Sequence, residues 1–180
     1  VTENIFALWQ VQKQEEETRL ILDCNKQTQS FGLSLSAEEA KELIQCRNKS
    51  LKAYQRVELG GGILDKLIYT FCDSSYITSD TYGSTLARLQ DIFYRFKNES
   101  LEKLSDDELL EFMKDTFENI CFGDLEYLES TCLERFARAI RYGYDGYLAS
   151  GGSGEYEGFS EEERWDSELY LEALKELAWR

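Results

Sequence analysis

The chain has 180 residues, 42% of them hydrophobic, with 35 acidic against 20 basic side chains and a formal net charge of −15. That length suits one domain, which buries roughly 70% of the surface its unfolded form exposes, and the apolar content is too high for a disordered acidic tail. Acidic residues lie along the whole length, which works against direct nucleic-acid binding or an anionic membrane surface and favours a basic partner or a cation.

Two residue types are missing, histidine and proline. Without histidine the chain has no Ser-His-Asp or Cys-His catalysis, no Glu-x-x-His di-iron bundle and almost no route to a catalytic zinc. Without proline, only glycine and short polar clusters punctuate it, as long helices with brief connections require. Cys24, Cys46, Cys72, Cys121 and Cys132 are odd in number and lack CxxC spacing. They read as small buried thiols of a reduced, cytoplasmic protein. No stretch approaches the ~18 apolar residues of a membrane span, and no signal peptide is visible.

In chain order, residues 1–23 read most simply as a helix, although Val11 and Ile21 also permit short strands. Ser36 and Glu39 form a capping box, and Ala40, Leu43, Ile44, Arg47, Leu51 and Tyr54 share one stripe of the helix that follows, ending near Gln55. A second helix is expected from about Gly62 to Cys72, with Ile63, Leu67, Ile68 and Phe71 inward and Leu64 and Cys72 widening the face. A third runs from Ser79 or Asp80 to Lys97, with Tyr82, Leu86, Leu89, Phe93 and Phe96 on its apolar side and Arg88, Gln90, Asp91 and Arg95 elsewhere. Ser105 and Glu108 box the next, which turns Leu109, Phe112, Met113, Phe117 and Ile120 inward and breaks at Gly123. Asp124 caps a helix to about Tyr142 that buries Leu125, Leu128, Cys132, Phe136 and Ile140. After Gly143 the segment is rich in glycine and tyrosine and reads as a loop, before Ser160 and Glu163 open a terminal amphipathic helix.

The glycine-rich stretch at Gly60, Gly61 and Gly62 invites a phosphate-loop reading. A Walker loop needs a hydroxyl residue after its lysine to hold magnesium, and here Lys66 is followed by Leu67. What remains is a weak candidate anion or ion site at Glu58, Gly60, Gly61, Gly62, Asp65 and Lys66, where the two carboxylates repel an anion, and a structural turn is the preferred reading. Cys132 to Arg138 has the Cys-x5-Arg spacing of cysteine phosphatases. It lies inside an expected helix with the thiol inward, so coincidence is preferred.

Asp115, Glu118, Glu126 and Glu129 repeat the paired-carboxylate pattern of all-helical, magnesium-dependent nucleotide pyrophosphatases. At about 100° per residue Asp115 and Glu118 point away from their apolar stripe, whereas Glu129 lies about 60° from Cys132 and makes a candidate buried ion pair with Arg135 or Arg47. The remaining candidates form a partner surface: Tyr144, Tyr147 and Tyr156 on the tyrosine-rich segment, and Trp165, Leu169 and Leu174 on the terminal helix.

At "RVELGGGILDKLIYTFCDSSYI", "FYRFKNESLEKLSDDELLEFM" and "FGDLEYLESTCLERFARAIR" the chain resembles a family of small acidic bacterial proteins known only as a domain of unknown function. The resemblance runs from about Cys24 to Arg141 and leaves the tail after Gly143 uncovered. It implies a compact bacterial domain and supplies no catalytic residues.

The expected fold is therefore all-α, a single compact bundle of about five to seven helices. Its helical domain is expected over residues 1–148 with its core at 24–142, then a flexible loop at 149–159 and a helix at 160–180 docked on the domain or on a partner. The expected role is a cytoplasmic, non-catalytic interaction or regulatory module with no cofactor and no metal, whose partner is a basic protein or a second copy of itself. The alternatives are a carboxylate-magnesium phosphohydrolase and an acidic mimic of nucleic acid that occupies a basic protein.

Overall fold

The structure, a computed structural model, describes residues 2–58 and 62–150. It is all-α, with no strand among the described residues, and it divides into two compact units that part between Tyr94 and Arg95.

The first unit begins with α1 (Thr2–Asp23), the short α2 (Asn25–Thr28) and a 3-10 turn, Gln29–Phe31. Gly32 closes that turn at φ +74°. The Asn25 amide then pins the connection, its Nδ2 donating to the Leu35 carbonyl and its Oδ1 accepting from the Leu35 N–H, each at 2.8 Å. α3 (Ala37–Ala53) starts at the expected capping box, in which the Glu39 N–H donates to Ser36 Oγ and the Ser36 N–H to Glu39 Oε1. Its buried stripe is Ala40, Leu43, Ile44, Arg47 and Ser50. α4 (Leu64–Phe71) buries Leu64, Leu67, Ile68 and Phe71, the broad face that its spacing predicts.

α5 (Tyr82–Glu99) passes through the division between the units. Tyr82, Leu86, Leu89 and Phe93 are buried as expected. Gln90 departs from expectation: the spacing sets it off the apolar stripe, yet its side chain is fully buried. Ile92 and Tyr94 are buried too, so α5 is covered around most of its circumference, and a polar residue there has no outward side to occupy.

In the second unit α5 ends through two left-handed residues, Leu101 and Glu102 at φ 52° and 59°, which do the work of the absent glycine or proline. The second expected capping box, Ser105 with Glu108, opens α6 (Asp106–Asn119), and Leu109, Phe112, Met113 and Phe117 face inward. Phe122 and Gly123, at φ 48° and 84°, turn the chain, and the Asp124 carboxylate accepts from the N–H groups of Glu126 and Tyr127 to start α7 (Leu125–Tyr127).

A π-turn at Leu128–Cys132 joins α7 to α8 (Leu133–Ser150). Leu128, Cys132, Phe136 and Ile140, all buried, are spaced by four, which walks about 40° per step around an ideal α-helix. The wider π-turn offsets part of that drift and keeps the stripe facing one way. Phe136 packs on Phe96 and Phe112 at centroid distances of 5.0 and 5.2 Å, and Lys103 Nζ donates to the Ile140 carbonyl at 2.8 Å. The helix also runs on through Ser150, where a loop was expected after Gly143. Single glycines at Gly143 and Gly146 cost about 1 kcal/mol each against alanine, which weakens a helix without stopping it, and no proline follows.

Candidate functional site

The glycine-rich connection is organised by a carboxylate. Glu58 Oε1 accepts from the Tyr94 hydroxyl at 2.7 Å and Oε2 from the Ile63 N–H at 3.3 Å, one residue before α4. Gly62 sits at φ +60°, and a Cβ there would overlap the same carboxylate. Asp65 and Lys66 follow in the first turn of α4, the Lys66 N–H donating to Asp65 Oδ1 at 2.9 Å. Thus an internal negative group already satisfies the Ile63 N–H, which the start of α4 would otherwise leave unpaired. Gly60 and Gly61 lie outside the described residues.

The buried ion pair is formed by residues other than those the spacing suggests. Arg47 Nη2 meets Glu17 Oε2 at 2.7 Å, tying α3 to α1, with side chains only 4 and 6% exposed. Glu129 faces Arg95 at 3.3 Å instead, in a pair whose side chains are 27 and 42% exposed. Arg135 is half-buried on α8. The π-turn that carries Glu129 departs from the 100° step that would turn it inward.

The paired-carboxylate pattern resolves into local contacts. Asp115 is exposed and accepts from Asn119 Nδ2 at 2.6 Å, while Glu118 pairs with Lys114 at 3.6 Å. No group of three metal-ligating side chains occurs among the described residues. In the Cys-x5-Arg stretch, Cys132 is buried 3.6 Å from the Cys121 sulfur, and Arg138 pairs with Glu134 on the helix surface. None of the five cysteines forms a disulfide.

A second polar cluster of the first unit sets the buried Cys24 and Tyr82 beside the exposed Tyr69. Burial raises the Cys24 thiol above its ordinary range. Its hydrogen-bonding contact with Tyr69, together with burial, pushes the Tyr69 hydroxyl up to about 12. Burial likewise pushes Tyr82 up to about 12, against a lowering contact with Thr28. These groups stay neutral at ordinary pH and read as packing rather than chemistry.

Of the expected partner surface, Tyr144 and Tyr147 fall within α8, and Tyr156, Trp165, Leu169 and Leu174 lie outside the described residues. The structure draws attention to a different surface. The first three turns of α1 carry Ile5, Phe6, Leu8, Trp9 and Val11, each between 55 and 69% exposed. Phe6 and Trp9 stack at 6.1 Å, and Lys13 Nζ lies 5.3 Å from the Trp9 ring centre. Residues 4–12 contain no charged side chain, in a chain of net charge −15. Among the described residues α1 is held through its last turns, where Glu17, Thr18 and Ile21 are buried. The sequence signal was visible: apolar residues on every side of three turns, a pattern that normally means burial in something.

Together these features define an all-α protein with an organised buried ion pair and an apolar helical arm left open to solvent. The chain belongs to a family of unknown function, DUF6323, which matches residues 20–146. Most of α1 therefore precedes the part shared with the family. No curated protein and no solved structure matches the chain.

Proposed function

We propose that this chain is a cytoplasmic, non-catalytic interaction or regulatory module of bacterial origin, and that the first three turns of α1 are its contact surface. The observation that carries this reading is the solvent exposure of Ile5, Phe6, Leu8, Trp9 and Val11 on an uncharged stretch of a strongly acidic chain. Contiguous apolar patches of this kind mark binding surfaces, and aromatic anchors dominate their energetics. Four buried cysteines outside any disulfide, two of them with sulfurs 3.6 Å apart, support a reducing compartment.

The test compares the tagged full chain with its Phe6→Ser/Trp9→Ser variant in native lysate, including a differently tagged copy of the chain itself. Both substitutions fall on exposed positions, so thermal stability is expected to hold within about 0.5 kcal/mol. Loss of a bound protein specifically in the variant supports the reading. Identical bound fractions for the two chains sink it.

A further inference from the structure

We infer that the face of α1 carrying Trp9, Lys13, Glu16 and Leu20 pairs antiparallel with the same face of a second copy of the chain. The inference rests on the reading of α1 as a contact surface and names its partner. The four residues are spaced by four, three and four, which keeps them on one side of the helix over about 16 Å. All four are exposed, with Trp9 at 55% and Leu20 at 53%. They also border a single groove along α1.

Their order is what selects the partner. Read in opposite directions about a two-fold axis between residues 14 and 15, Trp9 meets Leu20 of the second copy and Lys13 meets Glu16, and each contact occurs twice. Such a face is self-complementary, the requirement for an isologous dimer. A parallel pairing would instead set Lys13 against Lys13 and Glu16 against Glu16, so like charges select the antiparallel arrangement. The spacing matches the alternating three-and-four seam of two helices crossing at about 20°. Neither Lys13 nor Glu16 has an ion pair among the described residues, and Lys13 lies over the Trp9 ring of its own helix, beside the face it would share. The acidic bulk of the chain repels a second copy, and this stripe is locally balanced, one cation against one anion.

Sedimentation equilibrium of the full chain up to about 100 µM tests the inference, since a micromolar dissociation constant corresponds to about 8 kcal/mol and is measurable there. The wild-type chain is expected to dimerise. Lys13→Glu and Glu16→Lys each place like charges at both contacts and are expected to weaken the dimer at least tenfold. An equimolar mixture of the two single variants restores both charge pairs and is expected to recover a dimer of wild-type strength, as is the double variant.

A wild-type chain that stays monomeric overturns the inference, as does a dimer indifferent to the single reversals. If the chain is monomeric while Phe6→Ser/Trp9→Ser still loses another bound protein, the second copy is ruled out and α1 remains a contact surface for that protein. If neither measurement responds to α1, both readings fall.

Discussion

Arg47 and Glu17, thirty residues apart in the chain, meet at 2.7 Å with almost no solvent at either side chain. Arg47 also donates to Asn48 Oδ1 at 3.1 Å, and Glu17 Oε1 is buried without a hydrogen-bond partner. Removing one member of such a pair strands a buried charge, which costs about 3–5 kcal/mol. Arg47→Met is therefore expected to lower unfolding free energy by that amount in urea titration. Adding Glu17→Leu should recover most of the loss, and a double variant as unstable as the single would show that the pair contributes through something other than charge burial.

Gly62 and Gly32 both sit at positive φ, but only Gly62 faces the Glu58 carboxylate across the space a Cβ would take. Left-handed strain alone costs about 1–2 kcal/mol for a non-glycine residue. Gly32→Ala is expected to show that strain alone, and Gly62→Ala to cost more because Glu58 must also release Tyr94 or the Ile63 N–H. Equal losses in parallel denaturation curves would show that Glu58 is not braced against Gly62.

Gln90 is fully buried and neither its Oε1 nor its Nε2 finds a hydrogen-bond partner. A buried amide in that state costs about 1–3 kcal/mol, and an apolar side chain of similar length does not incur it. Gln90→Met is expected to raise the melting temperature by a few degrees, on the scale of about 4 °C or less per kcal/mol for a chain of this size. A lower melting temperature would mean that the amide is satisfied in solution.

Alkaline pH supplies a further check. Tyr82 has its hydroxyl pushed up to about 12 by burial, above the ordinary tyrosine value of about 10 that applies once the chain unfolds. Below pH 10 both states keep the proton and the stability is fully present; between pH 10 and about 12 the unfolded chain loses it first, so stability falls as pH rises. The part due to Tyr82 is on the order of 2 kcal/mol. Tyr82→Phe is expected to flatten the fall across that window, as followed by urea unfolding at successive pH values. An unchanged slope would assign the alkaline loss to other groups.

Much of the helical framework was legible because its determinants are local. Ser36 with Glu39 and Ser105 with Glu108 act within one turn, and the apolar stripes of α4 and α6 follow from spacing alone. Boundaries were less legible: α8 runs to Ser150 because isolated glycines only weaken a helix, and the π-turn at Leu128–Cys132 leaves no periodic mark strong enough to read. Of the site residues, Glu58 was found but its role was not, since no spacing shows a carboxylate folding back onto the N–H of Ile63.

Local pattern along the chain set the all-α class, where the principal helices start and which side chains share a face, because a 3.6-residue period and a capping hydroxyl act over a few residues. It did not determine what covers each face. That Arg47 is neutralised by Glu17, that Gln90 is enclosed, and that Ile5, Phe6 and Trp9 stay exposed follows from packing. Those outcomes depend on which distant segments pack together. A helix carries the same residues whether its face is buried or bare, and the difference is set by its neighbours.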